Sequence, residues 1–263
     1  MIGFLSDWGT RSYYVGVAKA IIYSINPSAV VVDLSHEITP FNVREAMHVL
    51  YRASRDFPKN TVFLCVVDYG VGTSRKSIVM KTTNDFIFVG PDNGIFTLVA
   101  EKYGVREIRE ITNPFFMRHE VSRSFHGRDI FAPTAAYLDM GYPVEDVGPL
   151  IMGYEELKYM YATLIGNEII GEVAFIDTFG NIETNIEADL LKKMNVELDS
   201  QLVVKIGKYI EKAVYCRTFG DVKKGQLLVH EDSSGYLEIS INQGNAASVF
   251  KATGGEEVRI RSR

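Results

Sequence analysis

Two hydrophobic rhythms divide the chain. Through the first half, short apolar runs of strand length alternate with longer segments whose apolar residues recur every three to four positions. The runs are IGFLS (2–6), AVVVDLS (29–35), TVFLCVVD (61–68), SIVMKT (77–82) and DFIFVG (85–90). The longer segments are YYVGVAKAIIYSIN, stopped by Pro27, VREAMHVLYRASRDF, stopped by Pro58, IFTLVAEKYG, closed by Gly104, and DIFAPTAAYLDMG, ended by Gly141. Near-continuous apolar strands set between amphipathic helices predict a sheet covered on both faces, with mostly parallel strands. After about residue 165 the period shortens. EIIGEVAFIDTFGNIETNI, QLVVKIGKYIEKAVYC, QLLVHEDSSGYLEISIN and GEEVRIRSR read as short alternating strands broken by Gly, Asp, Ser and Asn, with one helical stretch, ADLLKKMN. That is the pattern of a small all-β unit. The Pro and Gly residues of 141–165 mark a boundary. The expected organisation is an α/β N-terminal domain over 1–155 with a central, mostly parallel sheet, a linker over 156–165, and a C-terminal all-β domain over 166–263.

Composition narrows the function. The chain has 263 residues, 46% of them hydrophobic, which is ample for a sizeable core. A net charge of −5 with no basic stripe argues against a nucleic-acid partner and fits a small-molecule ligand. No apolar run is long enough to span a membrane. The N-terminal MIGFLSDWG is too short for a signal sequence. Cys65 and Cys216 lie far apart without metal-ligand spacing, which points to a reducing, cytoplasmic compartment.

In open α/β sheets, ligands gather at the carboxyl ends of strands. That rule selects Asp7 after IGFLS, Asp33 with Ser35, His36 and Glu37 after AVVV, Asp68 after TVFLCVV, and GPDNG (90–94) after DFIFV. SFHGRDIFAP (124–133) adds His126 and Arg128 just ahead of a helix, with Asp129 as a helix cap. Taken singly, each acid is also what a turn or cap uses. No dinucleotide fingerprint or phosphate-binding loop is completed by Gly70-Val71-Gly72-Thr73-Ser74-Arg75, and no G-x-S-x-G elbow occurs. No His-x-His or Glu-x-x-His spacing supports a metal site, so no metal ligands are assigned.

Taken together and in order, LSDWG with YYVGVAK, DLSHEITPFNVREA, VVDYGVGTSRK, GPDNGIFT, FHGRDIFAP, IDTFGNIETNI and QGNAA cover nearly the whole chain. This ordered set resembles the S-adenosylmethionine hydroxide adenosyltransferases, relatives of the fluorinase and chlorinase enzymes. The resemblance implies a C-terminal β-barrel and a homotrimer with substrate held between one subunit's N-domain and its neighbour's C-domain. It implies hydrolysis of S-adenosyl-L-methionine to adenosine and L-methionine, with S-adenosylmethionine as substrate and no cofactor. It carries over Asp68, Arg75 and His126 as the water-handling trio and Asp7 as the acid that grips the ribose hydroxyls. Phe41, Tyr69, Phe125 and Gly127 fall at positions lining the ligand. Asp177, Phe179 and Asn181 fall where the C-domain meets the methionine and adenine, as do, less directly, Ser233, Ser234 and Ala246. Tyr69 stands where proline is usual, Trp8 where phenylalanine is common, and Ser12 where an acid is frequent.

The implied reaction expels a neutral thioether from a sulfonium, so the leaving group needs no acid. The nucleophile is the difficulty: water must be placed in line with the departing sulfur and lose a proton. The expectation is a hydroxide-like nucleophile held by Arg75 and oriented by Asp68, with His126 as proton acceptor or relay. Three alternatives stay open at this point: a halide-using adenosyl transferase, a non-catalytic S-adenosylmethionine or adenosine sensor, and a metal-dependent hydrolase.

Overall fold

The computed structural model describes residues 1–262, which divide into two compact units, 1–157 and 158–262. The first contains β1 (Ile2–Ser6), α1 (Tyr14–Ile25), β2 (Val31–Ser35), α2 (Val43–Ser54), β3 (Val62–Val66), β4 (Ser77–Thr82), β5 (Ile87–Pro91), α3 (Thr97–Tyr103), β6 (Val105–Glu110) and α4 (Ala132–Asp139). Its six strands form one sheet in the order β2-β1-β3-β5-β4-β6. The pairs β1–β2, β1–β3 and β3–β5 are parallel, whereas β4 runs antiparallel to both β5 and β6. The departure from parallel pairing is a matter of loop length. A tight turn through Asp85, at φ 69°, joins β4 to β5, and so short a connection can only reverse the chain. β6, VREIRE, is a sheet-edge strand that the alternating charges of its sequence concealed.

The buried strands separate two cores by simple alternation. Val62, Leu64 and Val66 of β3 join the core beneath α1 and α4, while Phe63, Cys65 and Val67 join the core beneath α2 and α3. Both helical layers are required because every residue of β1 and β3 is buried. α2 is well specified: Asn42 accepts a hydrogen bond from the Glu45 N–H as its N-cap, and Val43, Ala46, Met47 and Leu50 form the buried stripe. From β1 the chain passes through α1 to β2 on one side. It then crosses through α2 to β3 on the other. The carboxyl ends of β1 and β3 therefore flank a topological switch point, where such sheets open a crevice.

The second unit contains β7 (Thr163–Ile165), β8 (Glu168–Ile176), β9 (Ile182–Glu187), α5 (Asp189–Lys193), β10 (Gln201–Ile206), β11 (Tyr209–Tyr215), β12 (Leu227–Glu231), β13 (Tyr236–Ile241), α6 (Ala246–Phe250) and β14 (Glu257–Ser262). Pairing of β14 with β8 closes seven strands into a barrel, and β7 adds to the outer side of β8. Alternate residues such as Leu202, Val204, Ile206, Leu237 and Ile239 fill its interior. The five-residue α6 escaped the sequence reading because it spans little more than one turn.

Phe63 stacks on Phe88 at 5.0 Å between ring centroids and is fully buried. Phe63→Ala is expected to lower the stability of the N-terminal unit by about 3–5 kcal/mol in urea unfolding followed by circular dichroism.

Candidate active site

The stretch VVDYGVGTSRK builds one half of the site. β3 delivers Asp68 to its carboxyl end, and the chain then turns. Gly70 N–H donates to Asp68 Oδ1 at 3.1 Å, and Gly70 O accepts from Thr73 N–H at 3.1 Å and Thr73 Oγ at 2.6 Å. Gly72 adopts φ 76°, and a Cβ there would lie 2.4 Å from the Arg123 carbonyl oxygen. At Gly70 a Cβ would lie 2.9 Å from Arg75 Cγ, because the arginine folds back across the turn.

That fold-back commits every N–H of the guanidinium. Nε–H is shared between Asp68 Oδ1 and Oδ2 at 3.0 and 3.1 Å. Nη2 donates to Asp68 Oδ2 at 2.5 Å and to His126 Nδ1 at 2.9 Å. Nη1 donates to Ser77 Oγ at 2.8 Å and Lys76 O at 3.3 Å. An arginine only donates, so His126 Nδ1 must be the acceptor, and a neutral His126 carries its proton on Nε2. Burial, followed by the adjacent Arg75 cation, lowers the His126 pKa below 6.5 and favours this neutral form.

His126 sits at the entrance to a π-type turn, Gly127–Phe131, that leads into α4. Such turns recur at functional sites. The sequence reading made Asp129 a helix cap. In the structure it is instead the buried tie of the loop, accepting from Arg128 Nε at 2.7 Å, Arg118 Nη1 at 3.1 Å and Ser122 N–H at 2.9 Å. Burial works against ionising Asp129, but these hydrogen bonds win and hold its carboxyl well below the usual range.

The other half comes from β1 and the segment after β2. Asp7 Oδ2 accepts the Phe41 N–H at 2.8 Å. Burial raises the Asp7 pKa, the Phe41 N–H opposes it, and the charge of Asp68 adds to the rise. Phe41 holds φ 65°, an uncommon backbone for a bulky residue, and its exposed side chain lines the same cavity as the acid. Asp7, Trp8, Tyr14, Phe41, Asp68, Phe125, His126 and Gly127 together line a cavity of about 290 Å³. Arg75 is not in that lining. The cavity thus presents two carboxylates and one imidazole, and the cation stands behind them.

The structure thus brings together Asp7, Phe41, Asp68, Phe125, His126 and Gly127 of the expected residues, with Arg75 as their support. Tyr69 is 65% exposed and lines a separate cavity of about 750 Å³ bounded by 69–70, 73–76, 92–93 and 151–157. In the barrel, Asp177 Oδ1 accepts the N–H groups of Phe179 and Asn181, while its Oδ2 accepts from the Asn181 side chain. That turn packs on the start of α6, where Ala247 N–H donates to Gly180 O at 2.9 Å, so Asp177, Phe179, Asn181 and Ala246 form one neighbourhood. Ser233 and Ser234 are not part of it. They lie in the β12–β13 turn beside Glu187, at the far end of β9 from Asn181. Ser77 was not found in the sequence because a serine opening a strand carries no chemical signature. Trp8 was visible only as a departure from a family pattern.

Comparison with known proteins gives a consistent picture. The family described as SAM hydroxide adenosyltransferase matches this chain by its N-terminal domain over residues 2–148 and its C-terminal domain over 171–259. A protein of Salinispora tropica named (R)-S-adenosyl-L-methionine hydrolase is 36% identical, covering 98% of this chain and 97% of that one. One of the same name from Methanocaldococcus jannaschii is 34% identical over 99% of this chain and 95% of its own length. A fluorinase of Actinoplanes is 27% identical over 99% of this chain and 97% of its own. The crystal structure of an uncharacterized conserved protein from Thermotoga maritima superposes with a TM-score of 0.97 at 57% identity, covering 99% of this chain and 100% of that one.

Trp8 is the sole tryptophan, so its fluorescence reports on the cavity wall. A Cβ on Gly127 would lie 2.4 Å from the Trp8 indole. Gly127→Ala is expected to shift the Trp8 emission maximum and to cost about 1–3 kcal/mol, read from the same unfolding curve.

Proposed function

The chain belongs to the SAM hydroxide adenosyltransferase family, and from that premise we propose that it hydrolyses S-adenosyl-L-methionine to adenosine and L-methionine. The names of its relatives specify (R)-S-adenosyl-L-methionine, and we assign the same form of the substrate here. The observation that carries the reading is the cavity lined by Asp68 and His126 and backed by a fully committed Arg75.

With no N–H left over, Arg75 does not hold the nucleophile. It fixes the Asp68 carboxylate and keeps His126 Nδ1 occupied as an acceptor. The remaining capacities are complementary for a water molecule: His126 Nε2–H donates to its oxygen, and an Asp68 oxygen accepts one of its hydrogens. As that oxygen bonds to C5′ and the C5′–S bond breaks, the oxygen becomes cationic and its protons strongly acidic. A carboxylate is base enough to take one. Asp68 is therefore the proton acceptor and His126 the positioning donor, a reversal of the roles the sequence suggested. The carboxylates of Asp7 and Asp68 suit a sulfonium ligand. Asp7 grips the ribose hydroxyls, and the Trp8, Phe41 and Phe125 rings enclose the apolar faces.

A halide nucleophile fits this lining poorly, since a carboxylate repels it. We further propose that the enzyme acts in the cytoplasm as a homotrimer. In that assembly Asp177, Phe179, Asn181 and Ala246 of a neighbouring subunit meet the methionine and adenine, and no metal or cofactor takes part. The family resemblance supports this arrangement, and among the described residues no cluster of three or more His, Cys, Asp or Glu has a metal-holding arrangement.

Incubating the purified protein with each sulfonium epimer in ¹⁸O-water and separating the products by liquid chromatography tests the reaction. Label in the 5′-hydroxyl of adenosine is expected, and unlabelled or chlorinated nucleoside would overturn it. Asp68→Asn should cut kcat by roughly a hundredfold or more while changing substrate affinity little. Because the shift of His126 is downward, its neutral form persists on acidification past pH 6.5. The acid limb of kcat should accordingly fall below that pH, and a midpoint above 6.5 would contradict the assigned role.

A further inference from the structure

The motif DLSHEITPFN supplies Phe41, yet its Asp33 and His36 touch nothing in the cavity. They make a directed chain instead. Lys19 Nζ donates to Asp33 Oδ2 at 2.6 Å. His36 Nε2 lies 3.0 Å from Asp33 Oδ1, in a contact too bent to be a hydrogen bond, and the carboxylate charge beside it favours the tautomer with the proton on Nε2. In that tautomer Nδ1 is bare and accepts the Ser6 hydroxyl at 2.7 Å. With its hydrogen committed to the imidazole, Ser6 Oγ turns a lone pair to the Trp8 N–H at 3.4 Å. The chain ends on the backbone that directly follows Asp7.

Ser6, His36 and Asp33 resemble a nucleophilic triad in arrangement, but Ser6 is 0% exposed and does not line the cavity of the candidate site, so it is not placed to attack a ligand there. What the loop does is clamp its neighbour at three points. Besides the Ser6 contact, His36 O accepts the Gly9 N–H at 2.7 Å, and Glu37 Oε1 accepts the Thr10 N–H and hydroxyl, each at 3.0 Å. The imidazole also packs edge-on to Phe4, with centroids 4.6 Å apart, so the ring has one seat. Asp7 and Trp8 hang between this clamp and the Phe41 N–H.

We propose that Asp33, His36 and Ser6 form a positioning relay that fixes the Asp7–Trp8 turn and so sets the aim of Asp7 at the ribose. The inference rests on the substrate reading above, in which Asp7 grips the ribose. It assigns His36 and Ser6 as positioning residues for adenosine recognition, with no part in activating water.

A double-mutant cycle on adenosine affinity, read by Trp8 fluorescence and by calorimetry, tests it. Ser6→Ala in the full chain should weaken adenosine binding by roughly tenfold and raise KM similarly, with kcat changed by less than about threefold. In an Asp7→Ala background the same substitution should change affinity by less than about twofold, because the residue it acts through is gone. His36→Asn keeps an acceptor where Nδ1 stood and should retain more affinity than His36→Leu. This pair carries the test if Ser6→Ala does not fold. Equal losses from Ser6→Ala with and without Asp7, or equal losses from the two His36 variants, would overturn the relay while leaving the substrate reading intact. No adenosine binding by the unaltered protein would remove both.

Discussion

The site depends on one guanidinium that has no hydrogen left to give. Arg75 spends its five N–H groups on Asp68, His126, Ser77 and Lys76 O. Each bond fixes something else. The fork to Asp68 sets the carboxylate plane, and the bond to His126 decides which imidazole nitrogen carries the proton. The bonds to Ser77 and Lys76 O anchor the arginine to the start of β4, so the turn cannot relax without breaking them. A charged, bidentate pair of this kind is strong and geometrically restrictive, and here the geometry is what the chemistry uses.

Such a pair needs a tight turn, and the turn needs missing side chains. A Cβ at Gly72 would meet the Arg123 carbonyl, and one at Gly127 would meet Trp8. The loop carrying His126 therefore approaches those carrying Asp68 and Asp7 more closely than ordinary residues allow. Phe41 shows the opposite case. It accepts a left-handed backbone where glycine would be easier, which places its N–H on Asp7 and its side chain in the cavity lining. Strain is tolerated there because the cap of α2 at Asn42 and the buried α2 stripe hold the segment that follows.

Much of this was legible in the sequence. The apolar runs ending in Asp7 and Asp68 announced strands delivering acids to one edge of a sheet, and the switch point at the ends of β1 and β3 put them side by side. The change to period two after residue 165 announced an all-β unit, and the family resemblance implied its closure into a barrel. What stayed hidden depends on direction more than identity. No spacing tells that Arg75 points all its donors inward, that Tyr69 faces a different cavity from its neighbour Asp68, or that the turn of Ser233 and Ser234 lies a strand's length from Asp177. β4 alone runs against the other five strands, in a sheet whose apolar runs read as parallel, because that signal measures burial and is blind to strand direction.

The direction of hydrogen bonds also explains why a weakly basic group suffices. A free hydroxide would require a strong base or a metal, and the cavity offers two carboxylates and an imidazole whose accepting nitrogen is taken. Neutral water attacking a sulfonium-bearing carbon sheds its proton only as the carbon–oxygen bond forms, when the proton is easily lost. The site therefore need not generate a nucleophile in advance. It has only to hold one water in line, keep an ionised carboxylate beside it, and exclude anions that would compete. On the proposed mechanism Asp68 does the last two at once, since the charge that accepts the proton also repels halide. Water selection and proton transfer then become one property of one side chain, made possible by the arginine behind it.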